Sequence, residues 1–91
     1  MNGRTLVARN LRRLRTERGL SQERIAADAD VDRAYVSELE RELAAASVDV
    51  LDRLARVLDV PVGEFLRPVG GADPVPAVLR AGRKPGRSAD R

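Results

Sequence analysis

Residues 21–42, SQERIAADADVDRAYVSELERE, constrain this chain most, because they encode two short helices with a tight turn between them. Ser21 is placed to cap the first and Asp32 the second, since a short side-chain oxygen satisfies amide donors left free at a helix start. Ile25, Ala26 and Ala29 form one apolar face, and Val36, Leu39 and Leu43 form the next at i, i+3 and i+7. Val31 falls in the turn, where it plugs the angle between the helices.

The rest of the chain supports these two helices with others. Residues 4–18 read as a first helix, with Val7, Leu11 and Leu14 on one face and Arg9, Arg12 and Arg13 opposite; Gly19 suits a left-handed stop. Helix two is expected at 22–28 and helix three at 33–42. Ser47 caps a fourth helix at 48–58, striped by Leu51, Leu54, Ala55 and Leu58. Asp59 takes a helix-ending position where glycine is commoner, and Pro61 opens a short fifth helix at 62–66. Connections of two to six residues fit an all-α domain over 1–67, centred on Leu20, Val31, Val36, Leu39, Leu54, Leu58 and Phe65. From Pro68 the composition changes: residues 68–91 hold four of the five prolines and four of the seven glycines, with one apolar patch at 75–79. Disorder is the expectation for such a tail.

Composition removes most function classes. With no cysteine or histidine, disulfides, zinc fingers and histidine-based catalysis are excluded. No nucleophile–base set, metal cluster or phosphate loop is present, so neither an enzyme nor a cofactor is expected. No apolar run approaches the roughly 20 residues of a membrane helix, and the N-terminus lacks a signal-peptide core. The expected location is the cytoplasm. Only Tyr35 and Phe65 are aromatic, which argues against a base-stacking platform for single strands. The net charge of +3 lies wholly in residues 68–91, because residues 1–67 hold 12 arginines and 12 acids. Within the balanced part, residues 4–18 are +5 and residues 21–42 are −4. A segment this acidic opposes non-specific affinity for a polyanion such as DNA.

Residues 4–67 resemble the lambda-repressor-like Xre/Cro helix-turn-helix family. The likeness rests on Arg18-Gly19-Leu20, Ser21-Gln22, Ile25-Ala26, Val31, Tyr35-Val36-Ser37, Leu39-Glu40 and the run LDRLARVLDVPVGEFL at 51–66. Asp32-Arg33-x-Tyr35-Val36-Ser37 also looks like the small controller proteins of restriction–modification operons. The resemblance implies a compact five-helix domain that binds double-stranded DNA, with helix three in the major groove. It implies base contacts from Arg33, Ala34, Tyr35, Ser37 and Glu38: arginine toward guanine O6 and N7, Ala34 toward a thymine methyl, Glu38 toward cytosine N4. Ser21, Gln22, Arg12 and Arg41 would contact phosphates. Arg15 and Glu40 would form a partly buried ion pair tying helix one to helix three.

The chain departs from that family after helix three. Gly or Asn followed by a basic loop ending in Pro-Ser is usual there, whereas this chain has Glu42-Leu43-Ala44-Ala45-Ala46-Ser47. Helix three is therefore expected to run a turn longer. A homodimer is expected through Pro61, Val62, Phe65 and Leu66 (failing that, residues 75–81), since so small a domain needs two half-sites for useful specificity. The tail segment Gly82-Arg83-Lys84-Pro85-Gly86-Arg87 lacks the spacing of a minor-groove hook and reads as non-specific attraction. The competing reading is a protein-interaction module, such as an antitoxin whose 68–91 tail binds a partner protein. A continuous basic surface from Arg9, Arg12 and Arg13 to Arg33 and Arg41 would favour DNA.

Overall fold

Helix boundaries in this chain are written by its caps. The computed structural model describes residues 2–68, and expectations for residues beyond that range, including tail disorder and the patch at 75–79, lie outside it. Four α-helices run Gly3–Glu17 (α1), Gln22–Ala29 (α2), Arg33–Glu40 (α3) and Val48–Leu58 (α4), followed by a 3-10 turn over Val62–Leu66. At the starts, Asn2 Oδ1 accepts from the Thr5 amide at 3.0 Å, Ser21 Oγ from the Arg24 amide at 3.0 Å and Ser47 Oγ from the Val50 amide at 3.1 Å. Each bond satisfies a donor that the helix cannot. Asp32 differs from expectation: it has the extended N-cap backbone, but its side chain makes no cap bond. Its main-chain carbonyl instead takes the amides of Tyr35 and Val36.

All four helices stop in the same way. Gly19, Asp30, Glu42 and Asp59 adopt left-handed backbone at φ +67°, +58°, +63° and +58°. After each, the next amide reaches back into the final turn: Leu20 to the Arg15 carbonyl, Val31 to Ala26, Leu43 to Glu38 and Val60 to Ala55. This double-bonded stop satisfies carbonyls otherwise left open at a helix end. Leu20, Val31 and Val60 then pack against the core, whereas Leu43 is 59% exposed. Helix three therefore ends at Glu40, not at 42, and Leu43 leaves the apolar face assigned to it. Left-handed backbone costs an L-residue about 1–2 kcal/mol. At Glu42 a hydrogen bond from Thr5 Oγ1 to Oε1, 2.7 Å long, holds the side chain of that strained residue against α1.

The core is drawn from every element. Val36, Leu39, Leu54, Leu58 and Phe65 lie at its centre as expected, joined by Leu11 and Ile25; Leu20 and Val31 are only partly buried, at its rim. α1 packs on α3 and on the 3-10 turn, while α2 packs on α3 and α4. Asn10 is fully enclosed among these apolar side chains. Asn10 donates through Nδ2 to the carbonyls of Phe65 and Arg67, both at 2.9 Å, and its Oδ1 accepts from Arg13 Nη2 at 2.9 Å. It replaces the backbone partners that a short 3-10 turn lacks. Asn10→Ala should cost about 1–3 kcal/mol, because the buried Phe65 carbonyl loses its donor; urea unfolding would measure it. A cost within error would mean that the turn is held by Phe65 packing alone.

Candidate nucleic-acid interface

α3 buries one side and leaves the other bare. Val36, Leu39 and Glu40 face inward, while Arg33, Ala34, Glu38 and Arg41 are exposed and Ser37 is half-buried. Positions 33, 34, 37, 38 and 41 share a face because whole turns separate them. The first turn of α2 lies alongside: Arg33 Nε is 3.9 Å from Glu23 Oε2. Ser21 accepts with its hydroxyl oxygen at this helix start, which leaves the hydroxyl proton free to donate.

Behind the bare face, three elements converge on one carboxylate. Arg15 grips Glu40 with two bonds, Nε to Oε2 at 2.6 Å and Nη2 to Oε1 at 2.9 Å, and its Nη1 donates to the Leu20 carbonyl at 2.8 Å. Gln22 Nε2 donates to Glu40 Oε1 at 3.1 Å, and Arg12 Nε lies 3.5 Å from the same oxygen. The Glu40 side chain has no exposed surface, whereas that of Arg12 is 60% exposed. Burial pushes the Glu40 carboxyl up, but the bonds from Arg15 and Gln22, with the charges of Arg15 and Arg12, outweigh it and hold the group below its ordinary value. The Glu40 bond raises Arg15 against the opposing effect of its own burial.

This arrangement changes the electrostatics that the linear sequence suggests. Of the acids that make residues 21–42 net −4, Glu40 is enclosed by arginines of α1. Asp28 pairs with Arg24 at 2.9 Å and Glu42 accepts from Thr5. Glu38 remains on the bare face, and Glu23 stands beside Arg33.

Comparison with known proteins agrees with this geometry. The helix-turn-helix family HTH_3 matches residues 11–65. The chain belongs to the HTH_3 family of helix-turn-helix DNA-binding transcriptional regulators, which is Xre/Cro-like and non-enzymatic. It is 40% identical over 68 residues to the HTH-type transcriptional regulator y4dJ of Sinorhizobium fredii, covering 75% of this chain and 88% of that one. The crystal structure of a hypothetical transcription factor from Neisseria superposes with a TM-score of 0.71 at 33% identity, over 74% of this chain and 77% of that chain. The matched sequence spans 61% of the curated Neisseria meningitidis protein. The restriction–modification controller C.AhdI of Aeromonas hydrophila superposes with a TM-score of 0.66 at 37% identity, over 68% of this chain and 94% of that one. The fold is lambda-repressor-like.

In this HTH_3 domain, the residues singled out from sequence do not all lie on one surface. Arg33, Ala34, Ser37, Glu38 and Arg41 share the bare side of α3. Tyr35 does not join them: it is half-buried against the core, and its hydroxyl donates to the Ala45 carbonyl at 2.9 Å, bracing the loop after α3. Arg13 also leaves the basic surface expected of it, since it faces Asn10, Glu17 and Glu64. Phe65 is 0% exposed, so it belongs to its own core and cannot meet a second copy, whereas Pro61, Val62 and Leu66 are exposed. Sequence reasoning missed Asn10 and Glu23. Nothing local marks Asn10, but Glu23 follows Gln22 in the first turn of α2, next to the start of α3. No helix among the described residues is long and apolar enough to cross a membrane, and none of their His, Cys, Asp and Glu form a metal-holding group.

The lowered Glu40 pKa has a definite sign in stability. A carboxyl depressed on folding stabilises above its unfolded pKa, about 4.3 for glutamate, and that stability is lost as pH falls through the lower folded value. Wild type should therefore lose stability more steeply than Glu40→Gln as pH drops below about 4.3. Chemical denaturation at stepped pH checks this. Parallel curves for the two proteins would show that Glu40 is not depressed.

Proposed function

We propose that this domain is a dimeric, sequence-specific regulator, a repressor or autoregulator, that reads an approximately palindromic operator with α3. The observation that carries the reading is the bare face of α3, where Arg33, Ala34, Glu38 and Arg41 are exposed and Ser37 is half-buried among them. An α-helix fits the major groove of B-DNA, and these side chains supply a bidentate donor, a methyl, a hydroxyl and a carboxylate acceptor for base edges. Arg33 is the principal reader, and Glu23 beside it limits its attraction to arbitrary phosphates. Ser21, Gln22, Arg12 and Arg41 hold the backbone and set the register. The basic residues beyond Pro68 add sequence-independent attraction. Likeness to a restriction–modification controller supports a regulatory role.

The dimer reading is supported by apolar surface that the domain leaves open. Val62 is 39% and Leu66 53% exposed. Leu66 also borders an apolar cleft of about 250 Å³ lined by Val7, Ala44, Ala46 and Leu51. A self-complementary patch of this kind pairs about a two-fold axis. That symmetry sets two α3 helices about 34–36 Å apart, one turn of B-DNA.

Selection of sites from random DNA by the purified protein tests the reading: an approximate palindrome should emerge, and recovery of no preferred sequence would remove it. Arg33→Ala should weaken binding to the selected site by about 1–3 kcal/mol and relax preference at one base position. An unchanged base pattern would end its assignment as a reader. Val62→Glu combined with Leu66→Glu should give a folded monomer by native mass spectrometry, with much weaker operator binding. A variant that stays dimeric places the interface elsewhere.

A further inference from the structure

Glu40 is needed by more than the fold. Its Oε1 atom is shared by Gln22 Nε2 at 3.1 Å, Arg15 Nη2 at 2.9 Å and Arg12 Nε at 3.5 Å. The Arg15 contact joins α1 to α3, and that alone would explain a buried acid. The other two reach side chains nearer the surface: Gln22 is half-buried and Arg12 is 60% exposed. A carboxamide has one acceptor oxygen and two N–H donors, whereas a phosphate oxygen only accepts. Gln22 can therefore grip phosphate only through its Nε2 end. A carboxylate is also acceptor-only, so it repels the carboxamide oxygen and selects that same end. With one N–H given to Glu40, the second is left at a fixed angle. Arg12 is restrained through Nε, which leaves its two terminal nitrogens for an anion.

We propose that Glu40 is a positioning residue for the DNA backbone: its Oε1 fixes the Gln22 carboxamide with one N–H inward and one outward, and holds Arg12 beside it, so that both side chains meet the same stretch of phosphates. This rests on the DNA-binding reading above and deepens it. Glu40 touches no nucleotide itself. It converts two long side chains, each with several rotatable bonds, into a pre-set pair, and binding then orders less. Because burial is outweighed by its partners, the group stays ionised at neutral pH and the amide orientation does not drift.

The test separates this role from the structural one. Replacing both members of a buried pair by apolar side chains of similar volume is often neutral for stability, so Arg15→Met with Glu40→Met removes the carboxylate while keeping the helices packed. In wild type, Gln22→Ala should weaken operator binding about 3- to 10-fold, the worth of one hydrogen bond. In the folded double-methionine background the same change should have no further effect. An equal loss in both backgrounds would make Glu40 purely structural and overturn the proposal. Where the methionine variant does not fold, the Gln22 side-chain amide of wild type decides by NMR. Two well-separated Hε2 resonances, one protected in the free protein and the other shifting on operator addition, are expected. Equally fast exchange of both protons with solvent, or a pair unmoved by DNA, would refute it. Failure of wild type to bind any selected duplex would instead remove the DNA reading, and this inference with it.

Discussion

The bidentate grip of Arg15 on Glu40 fixes α3 to α1, and the exposed surface of the domain follows from it. Taking two charges out of water is expensive, and the return comes only when geometry is good and the remaining donors and acceptors are used. Here both carboxylate oxygens are engaged and Arg15 spends a further nitrogen on the Leu20 carbonyl, at the stop of its own helix. Losing one partner alone would strand a buried charge, at a cost of about 3–5 kcal/mol. An apolar pair could hold the helices as firmly but would slide more freely. The planar fork allows one register, and with it one presentation of Arg33, Ala34, Ser37 and Glu38.

Much of the fold was legible because helix starts and apolar stripes are local. Ser21, Ser47 and the stripe of α4 each state their meaning within a few residues. Helix ends were read less evenly. Gly19 announces a left-handed stop and Asp59 permits one, but Glu42 does neither, and its conformation is forced by the Leu43 amide closing onto the Glu38 carbonyl. The expected extension of helix three failed at that point. Tyr35 and Asn10 show a second limit. Periodicity tells which face a residue occupies, not which atom it will meet ten or 55 residues away.

The site was legible in outline and misleading in charge. Summed along the chain, residues 21–42 are net −4; arranged in space, one of their acids, Glu40, is enclosed by arginines from another helix. Folding can reassign charge in this way because attraction depends on separation and local dielectric, not on sequence neighbourhood. The same three-dimensional sorting turned Arg13 away from the surface where its helix neighbours Arg9 and Arg12 are exposed.

Asn10 has a mechanical consequence as well. By holding the carbonyls of Phe65 and Arg67, it ties the last described turn to the middle of α1. The polypeptide thus leaves the domain from a fixed post. Tension applied to anything joined after Pro68 is delivered to α1, the longest helix among the described residues, without first passing through α3. Cargo, extensions or further domains added at that end can change size or partner while the orientation of α3 stays as the Arg15–Glu40 pair sets it.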